Sequence, residues 1–257
     1  CDHWSPVGAY CKPSGRPMVA PTNDNHRIGV IKNKKVDLFM RIRRKPWAKP
    51  ELEACPFCVQ KPEELKNRWN TAFKDNSKPV YMELGCGKGG FISQIAPANP
   101  DINFIAADIK SEMLGLAKRK LEAAYNEKNI PADNILIMCQ NIERIENVFG
   151  ENDSIDRIYI NFCNPWPRAK HKKRRLTHSR QLMQYRKFLA DGGEIHFKTD
   201  DDMLFDESFE YFNECGFTEL FRTYDLHAEN LPDNIVTEHE IMFTEMGKTI
   251  KAAVFRK

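Results

Sequence analysis

Five short apolar runs, Val80–Leu84, Asn103–Ala107, Ile135–Cys139, Ile155–Phe162 and Glu194–Lys198, alternate with stretches of helical period, and this alternation constrains the fold most. Such strands, joined through helices, satisfy their backbone by pairing in parallel beneath helices on both faces. The helix candidates are Gly90–Ala96, Glu112–Asn126, Ile142–Phe149 and Ser179–Leu189. A further helix, Met203–Cys215, precedes strand-like Thr218–Tyr224 and Ile250–Phe255, which can complete the sheet as a hairpin-type addition. The expectation is a doubly wound α/β fold.

The ends of the chain read differently. Residues 1–39 carry Pro6, Pro13, Pro17 and Pro21 among small and polar residues without any period, so they are expected to be a disordered extension. From Met40 the character changes: Arg41, Arg43, Arg44 and Lys45 precede Pro46-Trp47, and Glu63–Phe73 reads as helical. The folded domain is therefore expected over 40–257. With 39 basic and 36 acidic residues the net charge of +3 is too mild to indicate a partner. Among the eight cysteines, Cys86, Cys139, Cys163 and Cys215 lie in or beside apolar runs and read as reduced thiols of a cytoplasmic protein. Cys55-Pro56-Phe57-Cys58 has the spacing of half a zinc site, with a second pair lacking unless Cys1 and Cys11 or a distant histidine supply it. An ordinary loop is the expectation there, with no metal. No run approaches the ~20 apolar residues of a membrane span.

Glu83-Leu84-Gly85-Cys86-Gly87-Lys88-Gly89-Gly90 leaves the first strand and enters a helix, where a backbone free of Cβ atoms can approach a ligand. Gly85, Gly87 and Gly90 also satisfy a dinucleotide fingerprint, so the glycines do not separate NAD from S-adenosylmethionine. Asp108 ends the second strand, where a carboxylate can accept both hydrogen bonds of a ribose diol. Glu83 discriminates better, because a carboxylate there suits an ammonium and a sulfonium and repels a pyrophosphate. Asn141, just past the third strand, is placed to meet an adenine edge, with a plain turn residue as the alternative.

Beyond the fourth strand, Asn161-Phe162-Cys163-Asn164-Pro165-Trp166-Pro167 lies at the carboxyl end of the sheet, where ligands of this architecture sit. A stiff, aromatic, amide-bearing loop can hold a flat base by stacking and in-plane hydrogen bonds. Arg168-Ala169-Lys170-His171-Lys172-Lys173-Arg174-Arg175 follows, with six formal positive charges and no acid. Phosphates would relieve its self-repulsion, so Lys170, Lys172, Lys173, Arg174 and Arg175 are candidate contacts to a nucleic-acid backbone.

With these residues in view, the chain resembles the tRNA (guanine(46)-N(7))-methyltransferase family. The likeness runs from Met40–Ala48 through Glu83–Gly89, Asn161–Thr177 and His196-Phe197-Lys198-Thr199-Asp200 to Thr237-Glu238-His239-Glu240. It implies a seven-stranded, Rossmann-like methyltransferase sheet and S-adenosylmethionine as methyl donor. It also implies transfer to N-7 of a tRNA guanine, at position 46, giving 7-methylguanosine. Glu83, Gly85, Gly87, Asp108, Asn141 and Asn164 would bind the donor; Arg168, Asp200, Thr237 and Glu240 would hold guanine and tRNA, with Asp200 and Arg168 acting in catalysis. Many members carry Asp where Asn141 and Asn164 stand, and Lys where Arg168 stands. Family members usually begin near the Met-Arg pair that is Met40-Arg41 here, so residues 1–39 are an extension or a mis-assigned start. The implied partner is tRNA, without membrane or obligatory protein partner.

The chemistry agrees with the residues. Guanine N-7 presents an in-plane lone pair at neutral pH, so the reaction needs alignment and no obligatory general base. An NAD-dependent oxidoreductase would keep the glycines and Asp108 yet need a His or Tyr–Lys acid–base pair, and would leave Lys170–Arg175 unexplained. A non-catalytic RNA-binding module on the same fold would bind tRNA without the donor.

Overall fold

Alternate residues of the central strands turn to opposite faces, and in this chain both faces are buried, which is why the strands read as unbroken apolar runs. The structure is a computed structural model describing residues 43–257. The expectation of a disordered 1–39 lies outside the described residues. In chain order the elements are α1 (Ala48–Glu53), β1 (Cys58–Val59), β2 (Val80–Leu84), α2 (Ile92–Ala98), β3 (Asn103–Asp108), α3 (Ser111–Glu127), β4 (Ile135–Cys139), β5 (Ile155–Asn161), α4 (Ser179–Phe188), β6 (Leu189–Thr199), α5 (Asp202–Glu214), β7 (Thr218–Thr223), α6 (Glu238–Glu245) and β8 (Lys251–Arg256). They build one eight-stranded sheet in the order β1-β4-β3-β2-β5-β6-β8-β7. Only β8 runs against its neighbours, antiparallel to both β6 and β7.

Strand β3 shows how the two cores arise. Phe104 and Ala106 join Leu114, Leu121 and Tyr125 of α3 and Ile92 and Ile95 of α2 on one face. Ile105 and Ala107 join Leu182, Tyr185 and Phe188 of α4 and Leu204, Phe205 and Phe212 of α5 on the other. Helix α3 buries Leu114, Ala117, Leu121 and Tyr125, one stripe at helical spacing.

Three elements differ from expectation. The sheet has eight strands, because Phe57 O accepts from Ile137 N at 2.8 Å and ties the Cys55–Cys58 turn to β4 as an edge strand of two residues. Burial there raises the Cys55 thiol and pushes Cys58 up to about 12. Glu63–Phe73 is two 3-10 turns, Pro62–Leu65 and Trp69–Ala72, where one helix was expected. Asp153 accepts from Asn67 N, Trp69 N and Gly150 N, and the Trp69 indole donates to Val148 O at 2.7 Å, so long-range bonds override the local helical period. Ile142–Asn147 is likewise 3-10.

Candidate active site

The turn after β2 is held by its neighbour strand: Gly85 N and Cys86 N both donate to Ala107 O, at 2.8 and 3.0 Å. Gly87 takes φ +54° and donates to Asp108 Oδ2 at 3.0 Å. At Gly89, φ +76°, a Cβ would stand 2.8 Å from that of Ala117, so a side chain would push α3 off the turn. Glu83, Gly85, Gly87, Lys88, Gly90 and Phe91 line one wall of a cleft, and Asn161, Phe162, Thr237, Glu238 and His239 line the other.

Glu83 is buried. Its Oε1 accepts from Asn161 Nδ2 at 3.3 Å, while Oε2 is buried without a partner. Burial raises its carboxyl to about 7, assisted by the charge of Asp108 and opposed by the Asn161 bond. An unpaired buried carboxylate oxygen beside a glycine turn calls for a cationic partner. Asp108, raised by burial, accepts Gly87 N on one oxygen and Lys110 N, at 2.9 Å, on the other. Each oxygen keeps a lone pair for a ribose hydroxyl. The donor set therefore fits S-adenosylmethionine: an anion for the ammonium, a carboxylate for the diol, and a cradle without side chains.

Asn141 and Asn164 have local duties. Asn141 Oδ1 caps the following 3-10 turn by accepting from Glu143 N at 3.0 Å, which leaves its amide NH2 and one oxygen lone pair without a partner in this turn. Asn164 Oδ1 accepts from Trp166 N at 3.0 Å and shapes the loop that follows β5. Phe162 and Trp166 bracket that loop with φ +51° and +41°, strained for such residues. Asn161 and Phe162 line the cleft directly, and Phe162 stacks on His239. The sequence offers both only as part of the loop, although Asn161 ends β5 and Phe162 follows it, at the switch in strand order where ligands of this architecture sit. Helix α6 also escaped the sequence reading, because it carries no amphipathic stripe, although Thr237 caps it by accepting from Glu240 N at 3.2 Å.

The remaining candidates sort by exposure. Arg168 is exposed, with no ion pair among the described residues, and Asp200 pairs with Lys248. Glu240 is fully buried and accepts from Asn234 Nδ2 at 2.9 Å, His227 Nε2 lies 2.8 Å away, and Lys198 Nζ 3.5 Å. Its carboxylate anchors the 227–234 loop and does not face outward. The basic run divides too. Lys170 and Lys173 are exposed; Lys172 pairs with Glu207, and Arg174 pairs with Glu143 while lying 4.2 Å over the Trp166 ring. Arg175 corrects its expected role: it is fully buried, donates to Pro165 O at 2.7 Å and pairs with Glu207, so it cannot meet a phosphate.

A larger recess of about 740 Å³ opens on the sheet face beside the cleft and shares Phe91 and Asn161 with it. Of the groups lining it, Arg157 and His196 both reach Glu194, at 3.1 and 3.0 Å, and Lys198 reaches Glu240 at 3.5 Å.

A family model described as "Putative methyltransferase" matches residues 77–253. The tRNA (guanine-N(7)-)-methyltransferase of Clostridium perfringens (strain 13 / Type A) is 58% identical over 85% of this chain and 100% of its own length. That of Clostridium botulinum (strain Eklund 17B / Type B) is 60% identical over 81% and 94%, and that of Clostridium acetobutylicum 48% over 82% and 97%. The crystal structure of the 16S rRNA methyltransferase KamB superposes with a TM-score of 0.52 at 13% identity, covering 70% of this chain and 87% of that one, a likeness of fold. The chain belongs to the tRNA (guanine-N(7)-)-methyltransferase family.

Proposed function

We propose that the protein transfers a methyl group from S-adenosylmethionine to N-7 of a guanine in tRNA, position 46 being the one expected in this family, to give 7-methylguanosine. The observation that carries the reading is Glu83: a buried carboxylate with one oxygen unpartnered, beside a glycine turn that leaves room for a ligand. Glu83 would receive the donor's ammonium, Asp108 its ribose, and Gly85 and Gly87 its close approach. S-adenosylmethionine supplies an electrophilic methyl, whose departure relocates positive charge onto the acceptor. Arg168 and Asp200 orient the base, and Asp200 stabilises the charge that the purine acquires. Asn141 and Asn164 act by shaping the pocket's rim. Residues 40–257 are the catalytic unit, which works in the cytoplasm with tRNA as its partner and no required protein subunit. Among the described residues no helix is long and apolar enough to cross a membrane.

The test is transfer of labelled methyl to bulk tRNA followed by nucleoside analysis. Label in 7-methylguanosine supports the reading; label in another nucleoside overturns the substrate, and donor binding without any transfer overturns the enzyme.

Two results should follow at the binding surfaces. Asp108→Ala is expected to weaken S-adenosylmethionine by about 1.5–3 kcal/mol, the loss of a charge-assisted hydrogen bond, with tRNA affinity near wild type. Calorimetric titration checks it, and unchanged donor affinity would remove Asp108 from the site. Lys170→Ala and Lys173→Ala should each raise the KM for tRNA and flatten its logarithmic salt dependence by about one unit, leaving kcat largely intact. A slope that stays at the wild-type value in the double variant would place the phosphates elsewhere.

A further inference from the structure

Of the six cations that follow the base-holding loop, Arg175 is the one turned wholly inward, and it is among the largest side chains buried in the protein. Its Nε donates to Pro165 O at 2.7 Å, one terminal nitrogen pairs with Glu207, and the other lies 3.9 Å from Met203 Sδ. Glu207 also receives Lys172 Nζ at 2.6 Å. Two residues beyond Arg175, the buried hydroxyls of Thr177 and Ser208 meet at 2.7 Å, and Ser208 Oγ donates to Leu204 O at 2.5 Å. Met203, Leu204, Glu207 and Ser208 all belong to α5, which opens at Asp202 and is capped by Asp201, whose Oδ1 accepts from Leu204 N at 2.7 Å. The segment 172–177 is thus bound along the first turns of α5, immediately after Asp200. Through Arg175 the carbonyl of Pro165, in the middle of the loop, is bound to the same helix.

A desolvated guanidinium is a poor means of adding stability. An apolar side chain of similar volume would fill the space as well or better. What the planar fork provides is direction: rigid N–H groups that fix a carbonyl and a carboxylate relative to each other. The two bodies it fixes are the ones carrying Arg168 and Asp200.

We infer that Arg175, clamped by Glu207, is a positioning residue that sets the loop bearing Arg168 against the turn bearing Asp200, so that the guanine between them is aligned with the methyl donor. It touches neither base nor donor. The inference rests on the assignment of Arg168 and Asp200 to the target base, and the experiment separates the two. Effective alignment is lost steeply with distance, a displacement of about 1 Å being worth about 100-fold in rate.

The test uses the full chain with Arg175→Met, Arg175→Lys and Glu207→Gln, measuring melting temperature, S-adenosylmethionine affinity, and kcat and KM for tRNA. Arg175→Met is expected to lower kcat by about 100-fold while KM, its salt dependence and donor affinity stay within about threefold. Arg175→Lys, which keeps a cation for Glu207 but lacks the fork, should recover about tenfold of that loss. A folded Arg175→Met with wild-type kcat overturns the inference, as does a loss confined to KM with a flattened salt dependence, which would make Arg175 a phosphate contact. Should Arg175→Met fail to fold, Glu207→Gln decides: it keeps volume and an acceptor, and a kcat within about twofold of wild type overturns the clamp. If wild type labels a nucleoside other than 7-methylguanosine, the base assignment fails, yet the kcat ratio on that nucleoside still tests the clamp.

Discussion

Asp200→Ala should lower methyl transfer to tRNA by about 10²–10³-fold, the range for removing one preorganised electrostatic contact to a transition state. Arg168→Ala should fall in the same range. The reasoning is differential: the carboxylate gains most when the purine becomes cationic, so its removal acts on kcat more than on either binding step. Donor affinity should hold, because Asp200 lines a different recess, with Gly247, Lys248 and Lys251. Stability should hold as well, since the ion pair that Asp200 makes with Lys248 is half exposed on the lysine side, and such pairs are worth about 0–1 kcal/mol. Initial rates with labelled donor, alongside a donor titration, check both statements. A rate within about threefold of wild type in a folded Asp200→Ala protein would remove this carboxylate from the reaction.

Glu83→Gln should weaken S-adenosylmethionine by about 2–5 kcal/mol, the consequence of leaving a buried cation without its partner. The pH dependence sharpens this. Burial raises the Glu83 carboxyl from an ordinary 4.5 to about 7, so in the free protein it is largely protonated below that point. A cationic ligand prefers the ionised form. Donor affinity should therefore climb as pH rises toward about 7 and level off above it, and below about 7 binding should release a proton from Glu83 to solvent. The effect on folding has the opposite sign: a raised carboxyl favours the folded, ligand-free protein at low pH, and that contribution is lost as pH rises from 4.5 through about 7. Affinity and melting temperature measured between about pH 5.5 and 8 test this. Glu83→Gln should flatten both profiles, and a wild-type affinity independent of pH would show that Glu83 does not face the ammonium.

Much of the scaffold was legible in the sequence, because both faces of the sheet are buried. A run such as Asn103–Ala107 has no polar side to confuse its period, and four of the five central strands appear within one or two residues of their apolar runs, while β6 begins further upstream, at Leu189. The Trp69 region was not legible, since its conformation depends on Asp153, more than eighty positions away. Helix α6 was missed for a different reason: its buried residues, Glu240 and Phe243, make no stripe, and a buried carboxylate reads as an exposed one until His227, Asn234 and Lys198 are seen around it. The basic run looked uniform as a string. Sorting it required knowing that α5 presents Glu207, which only the folded chain reveals.

The placement of β8 has a consequence for the order of assembly. Among the described residues strand β7 pairs with β8 alone, and β8 is made after it yet lies between it and β6. In a chain emerging from the ribosome, the strands that carry the glycine turn and Asp108 can pair as they appear, while Thr218–Thr223 must wait for Lys251–Arg256 before its sheet partner exists. The stretch between these two strands contains Thr237, Glu238 and His239, which with Asn161 and Phe162 form one wall of the cleft. A nascent chain therefore presents the glycine turn, Asn161 and Phe162 before Thr237, Glu238 and His239 are made, and the segment that carries these last three lies between two strands that pair only with the later one in place.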